Sequence, residues 1–217
     1  LLVDVDGPDF DVRTLAGLPD QELVVRRGQI SSARLVPAVA QECPQPEMDP
    51  DAPYLVVGGL SGLGLWTAER LAELGARRLL LAGRRPPSAT ARPSVGRLVA
   101  KGAEVISLDV TDGTSVDALF AEHAIAGVVH SAGVLNDTLL DGATWDSFAE
   151  VLGAKVQGAM NLHHAAERYH RKLAFFVMFS SASAVHGNYG QAAYATANAF
   201  LDGLARSRTS LGRAGVP

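Results

Sequence analysis

Apolar residues follow two different patterns along the chain. In the first 40 residues they alternate with polar residues over two short segments, 22–26 and 32–36, which Arg27-Gly28 separates. Alternation with a period of two is typical of strands that bury one face, and an Arg-Gly step between them is a turn signal. The pattern therefore predicts a hairpin or a pair of edge strands.

From Tyr54 onward the apolar residues form continuous short runs, separated by stretches with helical spacing. The predicted strands are 54–57, 78–82, 104–108, 127–130 and 174–179. The predicted helices are 63–74, 93–102, 113–123, 144–169 and 192–208. Continuous apolar strands alternating with helices indicate a parallel sheet covered on both faces, and right-handed crossovers make it doubly wound. The predicted class is α/β.

The segment between these regions, QECPQPEMDPDAP, is rich in proline and acidic residues. Such a composition is typical of a linker, because proline biases the chain toward extended conformations. We therefore expect strands of a small subdomain in 1–40, a linker in 41–53 and the α/β unit in 54–217. Because the chain begins inside an apolar run and stops at Gly215-Val216-Pro217, we expect it to be a section of a longer polypeptide.

Composition argues against several classes of function. The formal net charge of the 217 residues is −4, and no basic stripe suggests binding to nucleic acid. No apolar run approaches the roughly 18 residues of a membrane span, and the N-terminus lacks the features of a signal peptide. Cys43 is the single cysteine, so neither an intrachain disulfide nor a cysteine-based metal site is expected. We expect a cytoplasmic protein without metal.

A glycine-rich segment directly follows the first strand of the α/β region and opens a helix. It consists of Gly58, Gly59, Leu60, Ser61, Gly62, Leu63 and Gly64. Glycine lets the backbone turn sharply and approach a pyrophosphate closely, and a helix N-terminus offers free N–H groups. A plain turn is the alternative, but the strand–turn–helix context favours a dinucleotide site. The spacing resembles the turn of the short-chain dehydrogenase/reductase superfamily, although Val57 stands where that superfamily usually has threonine.

Two arginines, Arg84 and Arg85, follow the second strand of this region. Enzymes that use NAD usually carry an acidic residue there for the ribose 2′-hydroxyl, whereas arginine suits a 2′-phosphate. NADPH is therefore the expected cofactor, and a solvated basic loop is the alternative. By the same resemblance, Asp109 and Val110 are the expected adenine contacts. Ser131, Ala132 and Gly133 resemble the loop on the nicotinamide side.

Four residues form the candidate catalytic set. Tyr194 and Asn198 share a helix face, Ser181 lies thirteen residues before Tyr194, and Lys155 belongs to the preceding long helix. A phenol is a poor acid at neutral pH unless a nearby ammonium stabilises the phenolate, which is the role expected of Lys155 beside Tyr194. Ser181 would donate to a carbonyl oxygen, and Asn198 would hold Lys155 or a water. Taken singly, each of these residues is more often structural.

The order of these residues is distinctive. Most short-chain reductases place the lysine four residues after the tyrosine and an asparagine in the earlier helix, and here the two types are exchanged. That exchange, with KVQGAMNLH at 155–163, FSSA at 179–182 and YATANAFLD at 194–202, resembles the ketoreductase domain of modular polyketide synthases. The resemblance covers about 54–217. Residues 21–40 are similar to the last strands of the truncated structural subdomain that precedes the catalytic half in that family.

The resemblance implies a function and partners. The substrate would be a β-ketoacyl thioester on the phosphopantetheine arm of an acyl carrier protein, the product a β-hydroxyacyl thioester, and the neighbours other domains of one synthase. The family's C-terminal strands and substrate lid would follow Pro217. Alternatives are a free-standing reductase of small ketones or alcohols, and a reduction-impaired domain that acts as a scaffold or epimerase.

The resemblance also implies a stereochemical type for the product. B-type ketoreductases usually carry Leu-Asp-Asp after the fourth strand, and this chain has Leu135, Asn136 and Asp137 there. A-type enzymes carry a tryptophan eight residues before the tyrosine, where this chain has His186. The pattern favours the B type, which gives the D-hydroxyl product. We expect His163 and His164 to be structural rather than metal ligands, and Trp66 and Trp145 to be packing residues.

Overall fold

The computed structural model describes residues 2–6, 10–15, 17, 22–32, 34, 36–37, 48–169 and 171–215. The chain divides into two compact units, Leu1–Gln45 and Pro46–Pro217. Most of the predicted linker lies outside the described residues.

The first unit holds a three-stranded sheet in the order β1-β2-β3. The strands are β1 (Leu2–Val5), β2 (Glu22–Arg26) and β3 (Gln29–Ser32). β1 runs parallel to β2, and β2 pairs with β3 in an antiparallel hairpin. The prediction of a second strand at 32–36 was wrong in its bounds. Arg27 and Gly28 both have positive φ, as a two-residue hairpin turn requires, so pairing resumes at Gln29.

The second unit is a five-stranded parallel sheet with helices between its strands. The strands are β4 (Pro53–Val57), β5 (Arg78–Gly83), β6 (Glu104–Ser107), β7 (Gly127–His130) and β8 (Phe175–Met178). Their order is β6-β5-β4-β7-β8, and Val57 at the end of β4 pairs with Ala82 on one side and His130 on the other. After β4 the chain adds β5 and β6 on one side of the sheet. It then returns to the other side of β4 and adds β7 and β8 there.

The helices follow the predicted stretches, except that one predicted helix is interrupted and the short helix Ser183–His186 was not predicted. They are α1 (Gly62–Glu73), α2 (Arg92–Val99), α3 (Gly113–Glu122), α4 (Trp145–Leu152), α5 (Gly158–Arg168), α6 (Ser183–His186) and α7 (Ala192–Ser210). The stretch predicted as one helix over 144–169 is divided by a π-helical turn, Gly153–Gln157. Glycine at 153 and at 158 weakens the regular helix here.

Both faces of the sheet are covered. Along β4, Leu55 and Val57 join one core cluster, and Tyr54 and Val56 join the other. This two-sided burial explains why the central strands β4 and β5 are continuous apolar runs, and it confirms the predicted α/β class.

The expectation that the two tryptophans pack in the core was wrong. Trp66 and Trp145 are 69% and 74% exposed. Trp66 lies on α1 away from the face that buries Leu65 and Ala68, and Trp145 is the first residue of α4, at the end of the helix.

Candidate functional site

A cleft of about 590 Å³ opens where the sheet changes direction, between the carboxyl ends of β4 and β7. This is the place where open α/β sheets bind their ligands. Four turns that follow β4, β5, β6 and β7 line it, contributing Gly58 and residues 60–64, 83–86, 108–111 and 131–133.

The glycine turn after β4 is shaped by close approach to β7. Gly58 has φ +84°, and a Cβ on it would lie 2.6 Å from Ser131 Oγ. A Cβ on Gly64 would overlap both the Gly58 carbonyl and Ser131 Oγ. Ser131 Oγ itself donates to Val57 O at 2.9 Å, so the serine predicted as a cofactor contact also ties the two strand ends together. Gly59 packs toward Val56, away from the cleft, although it was predicted as a cofactor residue.

The first turn of α1 leaves backbone donors at the cleft. Ser61 is its N-cap, and the first α-helical N–H bond runs from Leu65 N to Ser61 O, so the N–H groups of residues 62–64 precede the helical pattern. Gly62 has φ +50°, and a Cβ there would meet open space. The geometry at this end of the helix suits a bound pyrophosphate.

One rim of the cleft is basic. Arg84 and Arg85 are exposed and make no hydrogen bond or ion pair with another described residue. Across the rim, Asp109 Oδ1 accepts from Thr111 N at 3.0 Å and from Thr111 Oγ1 at 2.8 Å. These bonds, with a smaller contribution from the charge of Arg84, lower the pKa of the Asp109 carboxyl. Val110 is buried beside it and lines the cleft.

Lys155 is brought to Tyr194 by the π-helical turn. Its side chain is 4% exposed, Nζ donates to Phe179 O at 2.7 Å, and Nζ lies 5.3 Å from the centre of the Tyr194 ring. Burial lowers the pKa of Lys155 to about 8. The partner carbonyl of Phe179 was not predicted, because a backbone acceptor leaves no signal in the residue pattern.

Ser181 and Asn198 are linked through Ser180, whose Oγ donates to Asn198 O at 3.2 Å. Ser181 Oγ accepts from Ser183 N at 3.2 Å and from Ser183 Oγ at 3.0 Å. Asn198 is fully buried, and its Nδ2 donates to Tyr194 O at 2.8 Å. Asn198 therefore does not bond Lys155 directly, and its Oδ1 is a buried acceptor without a partner in the described part of the chain. A water on Oδ1, the second half of that expectation, stays a prediction.

His130, at the end of β7, lies directly behind Lys155. Its Nε2 is 3.4 Å from Lys155 O, and its ring is 1% exposed. Burial, together with the charge of Lys155, lowers the pKa of His130 to about 4, so the ring is neutral at physiological pH.

One of the residues predicted to control stereochemistry, Asp137, is bonded to the residue before α7. Asp137 Oδ2 accepts from Gln191 Nε2 at 3.0 Å, and Gln191 immediately precedes the helix that carries Tyr194. Asn136 turns away and donates to Glu150 at 2.9 Å. Leu135 is 64% exposed, and His186 is an exposed residue at the end of α6.

No metal centre is evident in the described residues, where no three His, Cys, Asp or Glu side chains are grouped to hold an ion. His163 instead accepts a hydrogen bond from Arg208 at 2.7 Å, with Arg208 stacked on Phe176. A search of the described helices finds none with both the length and the apolar character needed to cross a membrane.

Comparison with known proteins defines the class. The KR domain family model matches residues 52–217. The chain is 36% identical to 6-methylsalicylic acid synthase of Penicillium expansum over 99% of its own length, and 36% identical to erythronolide synthase EryA3 of Saccharopolyspora erythraea over 97%. It spans only 14% and 7% of those proteins.

A solved structure gives the same result. PlmKR1, the ketoreductase from the first module of phoslactomycin biosynthesis in Streptomyces sp. HK803, superimposes with a TM-score of 0.83 at 36% identity. The match covers 98% of this chain and 52% of that one. The fold is thus that of a short-chain dehydrogenase/reductase. Within it, the chain belongs to the KR domain family, the ketoreductase domains of polyketide synthases.

The fold of this family implies a nicotinamide cofactor, and the cleft fits one. The cradle at Gly58 and Gly64 leaves no space for side chains, backbone donors face the cleft at the start of α1, and two cations lie at its rim. This donor set has the chemistry to bind a pyrophosphate and a further anionic group.

Proposed function

We propose that this chain reduces a β-ketoacyl thioester to the β-hydroxyacyl thioester with NADPH, as one domain of a polyketide synthase. The observation that carries the proposal is the buried Lys155 ammonium, 5.3 Å from the centre of the Tyr194 ring. Such a pair suits the release of a proton from the phenol, because the ammonium stabilises the phenolate left behind.

The choice of NADPH over NADH rests on the rim of the cleft. Arg84 and Arg85 are exposed there without described ion-pair partners, and thus available to an incoming phosphate. Guanidinium groups bind phosphate through paired, charge-assisted hydrogen bonds. An acidic side chain, the usual partner of an unphosphorylated ribose, is missing from the positions after β5.

Each residue of the candidate catalytic set has its own role in the proposed ketone reduction. When bound, the nicotinamide supplies the hydride that adds to the carbonyl carbon. Tyr194 gives its hydroxyl proton to the carbonyl oxygen, so the C=O double bond becomes C–O–H. Ser181 donates a hydrogen bond to that oxygen as negative charge develops, and Lys155 stabilises the tyrosinate. Asn198 holds the helix backbone at Tyr194 and offers its free Oδ1 to a water.

The proposed substrate and partners are supported by the kind of protein to which the chain is similar. Both named relatives are synthases many times longer than this chain, which supports a role beside other domains of one cytoplasmic polypeptide. An acyl carrier protein would deliver the substrate on its phosphopantetheine arm. The strands within residues 1–40 would be the last part of the structural subdomain that precedes the catalytic half.

We further propose that the reduction has B-type stereochemistry. Asp137 is tied through Gln191 to the start of α7, one turn before Tyr194, so it is placed to influence how a substrate enters beside the phenol. Neither position 186 nor its neighbourhood offers the tryptophan of A-type enzymes.

The direct test mixes the complete domain with NADPH and a racemic 2-methyl-3-ketoacyl thioester. Loss of NADPH absorbance reports reduction, and chiral chromatography identifies the product. The proposal requires NADPH oxidation, a strong preference over NADH and a D-hydroxyl product. Exchange of the 2-hydrogen with solvent in the absence of reduction would instead identify an epimerase.

A further inference from the structure

Asn161 is a residue of the KVQGAMNLH segment to which the proposed reaction assigns no role. It lies on α5, six residues after Lys155, and is half-buried. Its Nδ2 donates to two successive backbone carbonyls, Val110 O at 2.9 Å and Thr111 O at 3.0 Å. Its Oδ1 accepts from Gln157 Nε2 at 2.8 Å. All three polar groups of one amide are therefore used.

The two carbonyls belong to the loop that forms one wall of the cleft. Leu108, Asp109, Val110 and Thr111 all line that wall. Asp109 on this loop interacts electrostatically with Arg84 across the rim, so the wall faces the part of the cleft where a 2′-phosphate would bind. The position of this loop therefore affects the adenosine half of a bound dinucleotide.

The packing beneath the loop is close enough to make its position depend on α5. A Cβ on Gly158 of α5 would lie 2.7 Å from Val110 Cγ1, and a Cβ on Gly113 would lie 3.3 Å from Asn161 Oδ1. Gln157, the remaining partner of Asn161, is the last residue of the π-helical turn that holds Lys155. One amide thus links the cleft wall to the helical segment that carries the catalytic lysine.

We propose that Asn161 is a positioning residue that fixes the Val110–Thr111 wall of the cofactor cleft against the helix of Lys155, and so contributes to affinity for the adenosine 2′-phosphate half of the cofactor. The proposal rests on the proposed NADPH-dependent function. Asparagine is suited to this position because its amide combines two N–H donors, for two carbonyls, with one acceptor.

The test compares Asn161→Ala, Asn161→Asp and Gln157→Ala by titration calorimetry with 2′,5′-ADP. Alanine removes both bonds to the loop, so the loop is held less often in the position that binds the nucleotide. We expect the Kd to rise about tenfold, which corresponds to a loop that keeps this position about a tenth of the time. Aspartate has the same shape as asparagine but places a carboxylate against two carbonyl oxygens, so its Kd should rise at least as much. Gln157→Ala keeps both bonds to the loop and should change the Kd by less than about twofold.

Aspartate decides between positioning and simple space filling. A space-filling residue would tolerate the isosteric aspartate and would be damaged only by alanine, and that result would overturn the proposal. Hydrogen–deuterium exchange of the 109–113 backbone provides a second readout that needs no nucleotide. Exchange there should rise in both Asn161 variants and stay as in the parent chain in Gln157→Ala.

The two readouts separate this inference from the proposed function. If the parent chain fails to bind 2′,5′-ADP, the NADPH assignment is wrong, and exchange in the loop still tests Asn161. If the parent binds it and the Asn161 variants bind equally well with unchanged exchange, the positioning role alone is wrong. Thermal melts identify a variant that does not fold, in which case the other Asn161 variant carries the comparison.

Discussion

Replacing Lys155 with methionine should stabilise the fold while removing the activity. The buried ammonium has its pKa lowered from the ordinary 10.5 to about 8, which corresponds to a free-energy penalty of about 3 kcal/mol for holding the charge in the folded state. Solvent reaching the ammonium screens part of that penalty. Methionine also leaves Phe179 O without its donor, at about 1 kcal/mol. The net expectation is a gain of about 1–2 kcal/mol in the free energy of unfolding at pH 7.

The pH dependence gives this prediction a signature. Below pH 8 Lys155 is protonated in both the folded and the unfolded state, so the folded state bears the full cost of the buried charge. Between pH 8 and 10.5 Lys155 is still protonated in the unfolded chain but has lost its proton in the folded chain. The parent should therefore become more stable between pH 7 and pH 9, by about 1 kcal/mol, relative to Lys155→Met. Urea unfolding of both proteins at the two pH values measures this. A methionine variant less stable than the parent at pH 7 would show that the buried ammonium carries no net penalty.

Three further predictions concern the cofactor, the stereochemistry and acid stability. Arg84→Ala should raise the KM for NADPH roughly tenfold or more and leave the KM for NADH nearly unchanged, because only NADPH carries the 2′-phosphate. Steady-state kinetics measures both values, and equal effects on the two cofactors would show that Arg84 does not bind the phosphate. Asp137→Ala should lower the D to L product ratio without abolishing reduction, because it removes the hydrogen bond that holds Gln191. Chiral chromatography measures this ratio, and an unchanged ratio would contradict the B-type proposal. Stability should fall by about 2 kcal/mol from pH 7 to pH 5, because the unfolded chain protonates His130 near pH 6.5 while the folded chain resists to about pH 4. His130→Asn should flatten that slope in urea unfolding, and an unchanged slope would contradict the buried, neutral ring.

The sequence predicted the central strands of the α/β unit closely because β4 and β7 are buried on both faces. A continuous apolar run such as 127–130 has only one suitable place in the fold, and the strand Gly127–His130 has those bounds. The short hairpin was harder to predict. Its register depends on positive φ at Arg27, a residue type that rarely adopts it, so the second strand was predicted three residues too late.

The proximity of Lys155 to Tyr194 was predictable from the sequence, but most other contacts of the candidate site were not. Joint spacing identified Lys155 and Tyr194, and the structure places them together. The π-helical turn that brings Lys155 there was not predicted, because one extra residue in a helical turn hardly changes the apolar period. The contact between Asn161 and the loop carbonyls was also missed, since it joins a side chain to backbone atoms fifty residues away.

In the proposed NADPH-dependent reduction, Tyr194 supplies the proton. The most direct measurement is single-turnover reduction of a β-ketoacyl thioester by the complete domain carrying Tyr194→Phe, with NADPH affinity determined on the same sample by fluorescence. Phenylalanine keeps the ring beside Lys155 and removes only the hydroxyl. We expect the rate to fall by two or more orders of magnitude while NADPH affinity stays within about twofold of the parent. Reduction at the parent rate would show that Tyr194 is not the proton donor.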